Sequence, residues 1–397
     1  MHDLTQITLP SFLSGDNFLQ LAGVVVDQGS SEITLQSNRP VFITLHGQLI
    51  KLTPRNIMDY EVRAVAKFLY GANIDSEVGR KGEIDFAYHC HQNGHHFRVN
   101  ITKCHDGQSG GIQISMRVIP HNPKPLPEHH LEDKLAKSLR DPEGLVLVTG
   151  ATGSGKSTLI ASVIAHLSQV KNLKILTYES PIEFIFDDCN GQSIISQTEV
   201  PRDLSSFSQG VRNALRRTPD IIMVGEVRDK ETLDAVMEAA LTGHTVMTTL
   251  HSKGVVDAIR RMLVMFPSEQ RQARMYDLIQ LMDTVVWQKL VPGIDGQLVA
   301  LREYIVFDDA LRQKLVDMQL PDIDKTLKAS FLTHGQSFYK SALSAYQKNK
   351  ISKETYNSLC PESSNAQVSK AESGLLFKSH NSSNQEALLS TKAGCAT

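Results

Sequence analysis

The sequence predicts an α/β protein in which a parallel sheet, covered by helices on both faces, follows a smaller mixed domain. Three observations carry that reading. Beyond residue 144, short apolar runs (LVLVTG, LKILTYES, DIIMVGEV, HTVMTTLHS) alternate with amphipathic stretches, the texture of buried parallel strands joined by crossover helices. The first of these runs meets a glycine-rich turn and then a new apolar stretch, GLVLVTGATGSGKSTLIASVI. Upstream, IPHNPKPLPEHH carries Pro120, Pro123, Pro125 and Pro127, which a helix interior excludes and an extended connector accommodates.

The elements follow in order. SSEITLQSNRPVFITLHGQLIKL reads as short strands, with Ile33 and Leu35 alternating against polar neighbours. Thr53-Pro54 reads as a cap and first turn of a helix placing Met58, Val62, Val65 and Leu69 on one face and stopping at Gly71. EIDFAYHCHQNGHHFRVNITKC reads as a hairpin about Asn93-Gly94, and ISMRVIP as a returning strand. In the second half, STLIASVIAHLSQV, LSSFSQGVRNALRR and KETLDAVMEAALTG supply the crossover helices. From Val255 onward VVDAIRRMLVMF and QRQARMYDLIQLMDTVVWQKL read as a helical subdomain. The boundaries expected are an N-terminal domain over 1–119, a linker over 120–130, a core over 131–254, a helical subdomain over 255–359 and a disordered Ser/Asn-rich tail over 360–397.

Composition excludes more than it selects. At 397 residues the chain exceeds one core, and a formal net charge of −2 offers no global basic field for coating nucleic acid. The start MHDLTQITLPSFLSG lacks a secretory pattern, and no long apolar run predicts membrane insertion. Five scattered cysteines without a C-x-x-C pair read as reduced thiols. His89, Cys90, His91, His95, His96, Cys104 and His105 gather near one hairpin without standard zinc spacing. They read as polar strand and turn residues.

The chemistry begins at Gly150, Ala151, Thr152, Gly153, Ser154, Gly155, Lys156, Ser157 and Thr158. These match G-x-x-x-x-G-K-[ST] between a strand and a helix, where backbone N–H groups and the helix N-terminus cradle phosphates. Lys156 is expected to bridge the β- and γ-phosphates of ATP, Ser157 to serve a Mg²⁺ site and Thr158 to support a phosphate. Ligands of parallel sheets sit beyond the carboxyl ends of strands. Glu226 after IIMVG is the candidate metal carboxylate, Glu179 after KILTY the residue that orients or deprotonates water, and His251 after VMTTL a contact to the γ-phosphate. Each carboxylate has a structural alternative, such as pairing with Arg228 or capping a helix. His244 precedes its strand and belongs to the other sheet edge. A nucleic-acid motor, a small-molecule kinase and a non-hydrolysing scaffold stay open. Neither aromatic-basic interleaving nor an Arg-rich lid is evident.

ATGSGKST, ILTYESPIEF, LRRTPDIIMVGEVRD and TGHTVMTTLHS, in this order, resemble the secretion-ATPase superfamily of type II and type IV secretion and pilus motors. Within it, the N-terminal strands and the ending HGQSFYKSALSAYQKNKISKETY resemble the subgroup of Dot/Icm type IVB secretion and conjugal-transfer ATPases (DotB- and TraJ-like). The resemblance implies a RecA-like P-loop NTPase core, a small α+β, PAS-like N-terminal domain and a helical C-terminal subdomain. It implies an ATPase, hexameric and cytoplasmic, that docks on inner-membrane secretion proteins; the missing apolar span and basic field predict no insertion of its own and no direct nucleic-acid ligand. It assigns Tyr178 to Glu183 as the acidic box with Glu179 catalytic, Glu226 as the metal-motif glutamate, and His244 with His251 as the histidine box. Arg98 and Arg117 become the N-terminal arginines that reach the phosphates. The family box commonly continues Glu-Asp-Pro; here Ser180 replaces the aspartate, which predicts altered metal-water geometry or slower turnover.

Overall fold

The computed structural model describes residues 10–90, 94–105, 110–119, 122–186, 192–316 and 318–360. Asn93 of the hairpin turn, His91, Pro120 of the linker and the tail beyond 360 lie outside the described residues.

The first layer contains α1 (Gly15–Asp27), β1 (Ser30–Gln36), β2 (Phe42–Leu45), β3 (Gln48–Lys51), α2 (Asp59–Tyr70), α3 (Ile74–Lys81), β4 (Glu83–His89), β5 (His96–Cys104) and β6 (Gly111–Ile119). The strands form an antiparallel sheet ordered β3-β2-β1-β6-β5-β4. Ile33 and Leu35 are fully buried beneath α1 and α2, as the alternation requires. The helix expected from Thr53-Pro54 begins later, at Asp59. Thr53 instead accepts from Val41 N and donates to Arg55 O, while the buried Glu61 carboxylate accepts from Met58 N and Leu13 N. Met58 therefore sits at the cap and is exposed; Val62, Val65 and Leu69 make the buried face.

The second layer runs α4 (Asp133–Arg140), β7 (Leu145–Thr149), α5 (Lys156–Val170), β8 (Lys174–Glu179), β9 (Ile194–Glu199), α6 (Phe207–Ala214), β10 (Ile221–Val224), α7 (Lys230–Leu241), β11 (Thr245–Leu250), α8 (Val255–Val264) and α9 (Arg271–Leu281). It continues with β12 (Met282–Pro292), β13 (Leu298–Val306), α10 (Asp309–Val316), α11 (Leu320–His334), β14 (Gly335–Gln336), α12 (Phe338–Gln347) and α13 (Lys353–Leu359). The sheet order is β14-β13-β12-β7-β11-β10-β8-β9. From β12 to β9 the neighbours are parallel; β13 and β14 extend the sheet antiparallel. Successive residues of the strands enter opposite cores. Leu145, Leu147, Ile222 and Val224 pack on one side with α7 and α9, whereas Val146, Val148, Ile221 and Met223 pack on the other with α5. The period-2 alternation of direction, with apolar residues at every position, is what two covered faces demand.

Two readings are corrected. VVWQKL, expected in a helix, belongs to β12, which lies between β7 and β13 within the sheet, and β13 is a strand as well. A strand buried on both faces has a continuous apolar pattern that periodicity cannot separate from a buried helix. No turn residue separates Leu281, the end of α9, from Met282, the start of β12. The edge strand β9 was also absent from the strands expected.

Candidate active site

The phosphate loop leaves β7 at Thr149, whose Oγ1 donates to Leu250 O at 2.7 Å, and returns into α5 at Lys156. Gly150, Gly153 and Gly155 adopt φ of +150°, +75° and +81°. At Gly150 and Gly155 space matters as well as φ. A Cβ at Gly150 would stand 2.4 Å from Gln288 O, and one at Gly155 would stand 2.9 Å from Gln288 Nε2. Ala151, Thr152 and Gly153 form the exposed lip, while Ser154 is buried and turns back onto Ala151 O through its N–H at 3.2 Å. Lys156 Nζ curls over the loop and donates to Gly150 O at 3.1 Å and Ala151 O at 3.0 Å. Burial lowers its pKa, opposed by the charges of Glu226 and Glu183. Ser157 and Thr158 follow in the first turn of α5.

Sequence reasoning missed what braces this loop. Gln288, on the strand misread as helix, donates through Nε2 to Ser154 O at 2.7 Å and accepts at Oε1 from Arg302 Nε at 2.9 Å. Arg302 is 2% exposed, donates to His129 O at 3.0 Å and lies 3.8 Å from Glu132. A buried polar chain thus joins the linker end to the loop. A cleft of about 910 Å³ opens alongside, bordered by Gly155, Thr158, His129, Leu290 and Lys348. Had β12 been read as a strand, a glutamine among its buried positions would have been the signal.

The carboxyl ends of β8, β10 and β11 bring the other candidates to the same edge. Glu226 follows β10 and is paired with Arg228, the structural alternative expected for it; its Oε2 also faces His251 Nε2 at 3.7 Å. Burial, followed by the charge of Lys156, lowers the His251 pKa, and Glu226 opposes. Glu179 ends β8 and is 8% exposed. Its carboxylate accepts from Thr177 Oγ1 at 2.7 Å, Gln197 Nε2 at 3.1 Å and Glu183 N at 3.5 Å. Burial nevertheless raises its pKa, since desolvation outweighs these three donors. Ser180 is exposed beside it.

The first sheet contributes Arg98 and Arg117, directly opposite each other on β5 and β6 and both exposed. Like charges in that relation repel. Asp85 holds the Arg98 guanidinium, with Nε at 3.1 Å from Oδ2, and this bond is the main cause of its raised pKa; Glu183 also contributes. His244 is placed elsewhere. It precedes β11, where Nδ1 lies 3.2 Å from Ala239 O at the end of α7. Six residues of strand put it roughly 20 Å from His251, so the two histidines do not form one box within the chain.

A phosphate loop with carboxylates and a histidine at the carboxyl edge of a parallel sheet defines the class of P-loop ATPases. The family model for type II/IV secretion system proteins matches residues 78–374. The chain belongs to that family and is an ATPase. It is 34% identical over 298 residues to the type IV pilus retraction ATPase PilT of Pseudomonas aeruginosa, covering 74% of this chain and 83% of that protein. The solved structure of the Legionella pneumophila ATPase DotB matches with a TM-score of 0.85 and 38% identity over 89% of this chain and 97% of that one. The pilus retraction motor PilT with bound ADP matches with a TM-score of 0.77 and 30% identity, over 87% of this chain and 97% of that one. Among the described residues no helix is long and apolar enough to cross a membrane.

Proposed function

We propose that this chain forms a hexameric ring, holds ATP between its first and second layers, and converts hydrolysis into rotation of the layers about the proline-rich linker. The work would power a type IVB secretion or conjugal-transfer apparatus on the cytoplasmic face of the inner membrane, through protein partners. One observation carries the mechanism: Ala87, the register partner of Arg98 on the N-terminal sheet, donates to Glu199, the register partner of Glu179 in the core. The site is therefore supplied with cations from two bodies, and charge neutralisation depends on their closure. The 38% identity to DotB favours the type IVB reading. Pilus retraction is the second reading, favoured by the 34% identity to PilT.

In this mechanism the loop N–H groups and Lys156 hold the triphosphate. Ser157 and Glu226 offer the hard oxygens that Mg²⁺ takes, and the charge of Glu226 is felt at Lys156. Mg²⁺, when bound, neutralises phosphate charge. Glu179, with a raised pKa and three donors fixing its carboxylate, orients water and accepts its proton. His251 and Arg98 contact the γ-phosphate and release it after cleavage, which loosens the joint. Light scattering in Mg-ATP, paired with phosphate release over a concentration series, tests the ring. A hexamer whose turnover per chain rises on assembly is expected; a monomer with concentration-independent turnover contradicts it. Complementation of an ATPase deletion in a type IVB-secreting strain, but not in a piliated one, is expected for the system; the reverse contradicts the choice.

A further inference from the structure

The edge strand β4 carries a contact that the phosphate chemistry does not use. In an antiparallel sheet the N–H and C=O of one residue point to the same side, and at Ala87 both point away from β5. The second layer takes both. Ala87 N donates to Glu199 Oε2 at 2.9 Å, and Ala87 O accepts from Arg202 Nη1 at 3.2 Å. The Arg202 guanidinium also lies 5.8 Å from the centre of the Phe86 ring. Glu199 is 3% exposed, and among the described residues its Oε1 has no partner. Its Oε2 accepts a second bond, from Ile182 N at 3.4 Å, and the adjacent Glu183 N donates to Glu179 at 3.5 Å. Glu199 is also the register partner of Glu179 across β8 and β9, and Val200 N donates to Glu179 O at 2.7 Å. On the other side of the contact, Ala87 is the register partner of Arg98.

We propose that Glu199 is a positioning residue that ties docking of the N-terminal sheet, through Ala87, to the Ile182–Glu183 segment that orients Glu179. A buried carboxylate with few donors cannot lose one without re-forming its remaining bonds. When β4 leaves, Oε2 retains only Ile182, and the backbone donor next to it is the one that holds Glu179. Docking therefore aligns Arg98 and Glu179 in one event. The inference rests on the reading of Glu179 as the residue that orients water.

Steady-state phosphate release and binding of a fluorescent ADP analogue, on the full chain, test it. The variants are Glu179→Gln, Glu199→Ala, Ala87→Pro and the double variant Glu199→Ala/Ala87→Pro. Proline at an outward-facing position of an edge strand removes the one N–H and leaves the ladder intact. Glu199→Ala and Ala87→Pro are each expected to lower kcat by about ten- to a hundredfold with nucleotide affinity unchanged, and the double variant to equal either single one. If Ala87→Pro fails to fold, Arg202→Ala removes the second bond from an exposed side chain and is expected to lower kcat severalfold. Wild-type kcat in Ala87→Pro or, failing that variant, in Arg202→Ala, or fully multiplicative losses in the double variant, overturns the inference. Wild-type turnover in Glu179→Gln would instead overturn the catalytic reading on which it rests.

Discussion

Gln288→Met tests the brace beneath the phosphate loop. The substitution preserves length and approximate volume and deletes both polar atoms, so packing changes little. Arg302 Nε loses its acceptor at 2.9 Å, and Ser154 O loses its donor at 2.7 Å. Arg302 keeps His129 O and the more distant Glu132, so the guanidinium is not stripped of every partner. Leaving a buried charged donor unpaired costs about 1.5–3 kcal/mol, and an orphaned carbonyl adds about 1 kcal/mol. Of a total of about 3 kcal/mol, the part that appears as global destabilisation lowers Tm by roughly 2–4 °C per kcal/mol. The part relieved by loosening the loop weakens nucleotide binding by about tenfold for each 1.4 kcal/mol. Thermal melting and titration with a fluorescent ADP analogue, on the same preparation, read both. A variant with Kd within about twofold of wild type and Tm within about 1 °C would refute the reasoning, since the energy must appear in one place or the other.

Other expectations follow from the same geometry. Gly155→Ala forces a side chain into φ +81° with its Cβ 2.9 Å from Gln288 Nε2; nucleotide affinity should fall at least tenfold, measured by the same titration. Asp283, half-buried beside Ser138 and Thr284, is pushed up from 3.8 to about 6 by desolvation. A carboxyl raised on folding stabilises the protein below its unfolded pKa, and this contribution disappears as pH rises through about 6. Asp283→Asn should accordingly raise Tm at pH 8 by more than it does at pH 4.5, in paired melting curves. Because burial raises Glu179, its basic form is lost as pH falls from a point above the usual carboxylate range; a kcat profile should show its acid limb there. Arg98→Ala should lower kcat by on the order of tenfold or more with little change in Tm, since its ion pair with Asp85 is largely exposed and adds little stability.

Where local physics decided the outcome, the chain could be read directly. The loop from Gly150 to Thr158 needs glycine angles, one lysine and a helix start, and all are written within nine consecutive positions. That Glu179, Glu226 and His251 share one sheet edge was legible because strand ends converge in a parallel sheet regardless of loop details. His244 could be placed at the far edge for the same reason, against the family pattern. What was not legible depends on contacts distant in sequence. Gln288 is 134 residues from the carbonyl it supports, and Glu199 is 112 residues from Ala87. The β12 strand was hidden because its residues pack on both faces, which erases the alternation that marks a half-exposed strand. The start of α2 was misplaced because Thr53 spends its hydroxyl on Val41 N and Arg55 O, a use that its local sequence does not announce.

Steady-state phosphate release by Lys156→Ala, compared with wild type at saturating Mg-ATP, tests the central claim that triphosphate held by this lysine is cleaved. Turnover well above background in wild type and background release in the variant is the result expected. Equal rates in the two proteins would contradict it.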